Sequence, residues 1–113
     1  MSQTPEAIFQ RLVQAHAGRP EISVGRMFGS PVLKMRGKVF AMLVKGRLVV
    51  KLPRGRVDKL LASRLGEPFD PGHGKPSKEW VAVDPNMSRR WGPLVEEARD
   101  FVISSNPVTG KRL

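Results

Sequence analysis

The loop Pro71-Gly72-His73-Gly74-Lys75, following Asp70, is where a titratable ring, a carboxylate and flexible backbone come closest together in this chain. A histidine so placed can ligate a metal or shuttle a proton. Only one other histidine exists, His16, and there is no cysteine, no His-x-x-x-His and no paired-ligand spacing, so no metal centre is expected. Gly72-x-Gly74-Lys75 lacks the longer glycine-to-lysine spacing and the Ser/Thr of a phosphate loop, and proline follows the lysine, so it reads as a turn between strands. Ser63, Ser104 and Ser105 have no base beside them in sequence. We therefore assign no catalytic residue, no cofactor and no metal, and read the chain as non-enzymatic.

The second chemical feature is charge. The 113 residues carry a net charge of +10, and residues 22–57 hold Arg26, Lys34, Arg36, Lys38, Lys45, Arg47, Lys51, Arg54 and Arg56 with no acid. The remainder is nearly balanced. Such a field attracts polyanions. Phe40, the lone aromatic between Phe28 and Phe69, offers a stacking surface amid these cations, whereas tyrosine is absent and no ring-rich strand motif is present. Lys34, Arg36, Lys38, Phe40, Lys45, Arg47, Lys51, Arg54 and Arg56 are the candidate nucleic-acid or partner-binding residues.

These residues need elements to position them. Thr4 caps a first helix with Pro5 at its first position; Ile8, Phe9, Leu12, Val13 and His16 recur at helical spacing, and Gly18-Arg19-Pro20 stops it. Strands follow over Ile22 to Phe28, Val32 to Arg36, Val39 to Val44 and Arg47 to Leu52, with Gly29-Ser30-Pro31 breaking the first from the second. Lys45-Gly46 has the form of a two-residue hairpin loop, pairing Val44 with Arg47 and Leu43 with Leu48. Ala41, Leu43, Leu48, Val50 and Leu52 then share a face. An odd loop count at Gly37 adds Leu33, Met35 and Val39 to it, leaving Lys34, Phe40, Met42, Arg47, Val49 and Lys51 opposite.

A second helix carries the stripe Val57, Leu60, Leu61, Leu65 and has Gly66 placed as its C′ residue. Glu79 to Val83 reads as a strand, with a short partner near Phe69. Ser88 to Gly92 leads into a last helix bearing Leu94, Val95, Ala98, Phe101 and Val102, with Pro93 in its first turn, Trp91 in the core, Trp80 undecided between core and interface, and Glu96, Glu97 and Asp100 facing solvent.

The order helix, three or four strands, helix, one or two strands, helix predicts an α+β two-layer sandwich with a mainly antiparallel sheet and helices on one face. One domain is expected over 1–106, with 107–113 a flexible tail. No apolar run approaches membrane-spanning length, and the start of the chain lacks signal-peptide character, so a cytoplasmic, non-membrane protein is expected.

Met27-Phe28-Gly29, Gly37-Lys38-Val39-Phe40-Ala41-Met42, Gly46-Arg47-Leu48-Val49-Val50-Lys51-Leu52-Pro53, Pro68-Phe69, Gly74-Lys75-Pro76, Glu79-Trp80-Val81, Trp91 and Glu97-Ala98-Arg99 appear in this order. Together they resemble the TfoX N-terminal domain-like family over about residues 22–104. The chain has Ser30-Pro31 where that family has a glycine-rich turn. The resemblance implies a secretion-chaperone-like fold type and a stand-alone member without the C-terminal domain of competence regulators. It brings no catalytic residues. The expected function is a non-enzymatic binding or regulatory domain that contacts nucleic acid, weakly and without sequence preference, or a protein partner through its basic strands. The alternative is a homodimeric scaffolding protein, and an enzyme with an unrecognised pocket ranks last.

Overall fold

The computed structural model describes residues 4–27, 29–70, 72 and 74–105. Helix α1 (Pro5–Ala17) begins where Thr4 accepts a hydrogen bond from the Ala7 N–H, with Pro5 at its first position. It buries Phe9, Val13 and His16. Strands β1 (Ile22–Met27), β2 (Ser30–Met35), β3 (Lys38–Val44) and β4 (Arg47–Lys51) follow as successive hairpins. Helix α2 (Arg54–Ala62), the two-residue β5 (Glu67–Pro68), β6 (Trp80–Val83), a 3-10 turn at Pro85–Arg90 and helix α3 (Trp91–Ser105) complete the order. The six strands form one antiparallel sheet in the order β1-β2-β3-β4-β6-β5. With three helices this is an α+β fold of two layers.

Two hairpin turns depend on positive φ. Arg36 (52°) with Gly37 (82°) joins β2 to β3, and Lys45 (53°) with Gly46 (79°) joins β3 to β4. Both are two-residue loops with positive φ at each position, the geometry whose twist matches that of paired strands. The second loop gives the expected register, Val44 opposite Arg47 and Leu43 opposite Leu48.

The first loop corrects the expected facing of two residues. It holds an even number of residues, and Met35 pairs with Lys38, Lys34 with Val39, and Leu33 with Ala41. Phe40 is therefore an extra residue on β3, a bulge. The bulge restores the parity that an odd loop would have given, so Ala41 and Leu43 join Leu33 and Met35 in the main core as expected. Between loop and bulge the facing is reversed. Val39 lies on the other side of the sheet, and Phe40 turns into the main core, fully buried.

That core lies between sheet and helices and includes Phe9, Leu33, Phe40, Leu48, Leu52, Leu60, Trp91 and Val95. A second cluster, Val32, Met42, Val49 and Ala82, lies on the opposite face of the sheet.

Other boundaries differ from the sequence reading. Ser30 and Pro31 belong to β2, with Pro31 opposite Arg26, rather than to a break. Helix α2 ends earlier than Gly66: Arg64, at φ 61°, is the left-handed residue, the Arg64 N–H donates to the Leu61 carbonyl and the Leu65 N–H to that of Leu60. Gly66 is required for a different reason, since a Cβ there would lie 2.6 Å from Val81 Cγ2. The expected tail 107–113 and the His73 loop position lie outside the described residues. Among the described residues no helix is long and apolar enough to cross a membrane.

Candidate functional site

The sheet face without helices is both basic and apolar. Strand parity puts Lys34, Val39, Met42, Val44, Arg47, Val49 and Lys51 on it, together with Trp80 and Ala82 of β6. Val39, Val44, Phe69 and Trp80 pack against the second cluster and shield it. The segment after β5 is closed by a hydrogen bond from the Ser77 N–H to the Phe69 carbonyl. What remains is a groove of about 700 Å³ with Met42, Val39 and Val44 at its floor and Phe69 and Trp80 in its wall. Lys45, Arg47 and Asp70 supply its charged lining.

The nine candidates separate in space. Lys34, Arg47 and Lys51 share the helix-free face as expected, and Lys45 stands at the groove rim. The Lys51 ammonium lies 6.0 Å from the centroid of the Trp80 ring, within cation–π range. Phe40 is absent from this face, because the bulge sends it into the core; its assignment as a contact residue is overturned. Arg36 and Lys38 belong to the β2–β3 hairpin end. Arg54 and Arg56 belong to α2 in the helical layer, so they do not join the sheet face.

Folding also brings acids to the acid-free segment. Glu21 pairs with Arg36, Glu67 with Arg47, and Glu97 with Arg56 at 2.8 Å. The Arg56 guanidinium is held above its ordinary value, first by its hydrogen bond to Glu97. Glu96 accepts from both terminal nitrogens of Arg19 at 3.0 Å and lies 3.2 Å from His16 Nε2. The Arg19 hydrogen bonds hold the Glu96 carboxyl below its usual range; partial burial opposes them, and the charges of His16, Arg19 and Arg99 add to the lowering. Glu96 and Glu97 are thus ion-pair partners across elements, not the purely solvent-facing residues expected.

The residues that sequence reasoning did not place are Phe69 and Trp80. Trp80 reaches the basic face because it is opposite Lys51 in the β4–β6 ladder. Among the described residues no group of histidine, aspartate and glutamate has metal-site geometry. No family model, curated protein or solved structure matches the chain.

Proposed function

We propose that the chain is a non-enzymatic binding and regulatory domain of the TfoX N-terminal type whose helix-free sheet face receives single-stranded nucleic acid. The observation that carries this reading is the groove: two aromatic side chains, Phe69 and Trp80, stand beside Lys45, Arg47 and Lys51 on one face. Aromatic rings beside a cationic track suit unpaired bases and their phosphates, and such binding tolerates sequence. The residues Trp80 and Phe69 take the stacking role that the sequence reading gave to Phe40.

Fluorescence anisotropy with labelled single-stranded and duplex DNA and RNA across a salt series tests this. Single strands should bind better than duplexes, with log affinity falling by about 0.7 per log unit of salt for each phosphate neutralised. Trp80→Ala should weaken binding by roughly 5- to 150-fold, the range that loss of one stacked base implies. Absence of single-strand binding at low salt ends the proposal. The apolar groove floor also fits the homodimer alternative, which sedimentation of the wild type distinguishes; the +10 charge opposes it.

A further inference from the structure

One edge of the sheet is β1, six residues paired on one side only, with an unbroken register from Ile22 opposite Met35 to Met27 opposite Ser30. The direction of its backbone groups follows from three observations. The Arg36 N–H donates to the Glu21 carbonyl, making that pair hydrogen-bonded. The two-residue connection makes Met27 opposite Ser30 a hydrogen-bonded pair as well. Pro31, which has no N–H, sits opposite Arg26, where none is needed. Bonded and non-bonded pairs alternate in an antiparallel ladder. Val24 and Arg26 therefore aim their N–H and C=O groups away from the sheet, while the Ile22 N–H is taken by the Arg19 carbonyl.

Side chains agree with this. Val24 (46% exposed) and Met27 (38%) are the exposed large hydrophobics among the described residues, and both are on β1. Edge strands are commonly blunted by bulges, proline or charge; β1 has no bulge or proline within it, and the charges at it, Arg26 and the overlying Lys34, are all positive and so leave it open to an acidic strand. At Gly25 the missing side chain leaves space that Lys34 fills: its Cε and Nζ lie 2.8 and 3.0 Å from where a Cβ would stand. The Lys34 ammonium is thereby carried over the edge strand on the helix-free face. Val24 points to the opposite, helix-bearing side.

We propose that β1 is a docking edge for an extended acidic polypeptide segment, which adds as a further strand. Its residues alternate: carboxylates on the helix-free side meet Lys34, and apolar side chains on the other cover Val24. Main-chain hydrogen bonds to Val24 and Arg26 supply affinity, and the alternation supplies selectivity. A second copy of the chain fits less well. Each copy carries +10, and antiparallel pairing about Val24 or Gly25 sets two Lys34 ammoniums side by side. The edge meets the groove only at Met27, which lines it; Val24 and Arg26 are not among the groove-lining residues, so variants at Val24 and at Trp80 separate this inference from nucleic-acid binding.

The test uses a fluorescein-labelled peptide of about eight alternating glutamate and valine residues, long enough to cover the six-residue β1 and within the usual range of strand lengths. A twin N-methylated at alternate positions cannot pair along one edge. The wild type should bind the peptide at low salt and reject the twin. Hydrogen exchange at Val24 and Arg26 should slow when the peptide is added. V24P removes an outward donor at an edge position where proline is tolerated, and should weaken binding about tenfold or more while W80A leaves it unchanged. Equal binding of the twin, unchanged exchange at both amides, or no binding by the wild type overturns the proposal. A wild-type dimer that V24P dissociates also overturns it, by making a second copy the occupant. The twin and the exchange measurement decide the matter even if V24P does not fold.

Discussion

Phe40 lies edge-on to His16, ring centroids 6.5 Å apart, in the core between β3 and α1. A buried aromatic at such a position is a packing residue, and Phe40→Ala should destabilise by about 3–5 kcal/mol in urea unfolding. A surface phenylalanine would cost far less on truncation, so the measurement separates the two placements. Nearby, Glu96 of α3 pairs with His16 of α1 and with Arg19 in the turn that follows it. Its carboxyl is lowered in the folded state, so the stabilisation it supplies is present above the unfolded carboxylate range and is lost as pH falls through the folded value. Glu96→Gln should therefore lower the thermal midpoint near neutral pH and converge with the wild type in acid, as a melting series over pH would record.

At the scale of elements, the end of α2 contains a contrast between two neighbouring positions. Arg64 adopts a left-handed conformation that costs an L-residue and costs glycine nothing. Arg64→Gly should raise stability by up to about 1 kcal/mol, the steric relief being partly offset by glycine's greater unfolded freedom. Gly66→Ala should do the opposite, since its Cβ would press on Val81 at 2.6 Å and on the Leu60 Cβ at 3.3 Å. Chemical denaturation of the two variants side by side checks both signs. The sequence pattern supported a C′ glycine here, because Gly66 follows the apolar stripe. Pattern alone does not show that Arg64 takes the cap and that Gly66 is kept for close packing against β6.

For the whole molecule, the basic third of the sequence is not a uniform basic surface. Arg36, Arg47 and Arg56 acquire carboxylate partners from Glu21, Glu67 and Glu97, whereas Lys34, Lys45 and Lys51 gather on or beside the helix-free face. The summed charge still repels itself in the compact state. Raising salt from low to physiological concentration should therefore increase the melting temperature of the free protein, even as it weakens oligonucleotide binding. Calorimetry and anisotropy over one salt series should show these opposite trends.

The sequence by itself determined the element order, the capped first helix, the Lys45-Gly46 register and the shared helix-facing side of Ala41, Leu43, Leu48 and Val50. These are local features: a cap, a two-residue loop and alternation are written within a few residues of each other. Tertiary structure decided what depends on distant pairing. The Phe40 bulge arises where β2 and β3 reconcile an even loop with one shared core. Trp80 reaches Lys51 only because β6 closes against β4, far along the chain. His73 lies outside the described residues, and the groove takes its walls from segments that only folding brings together.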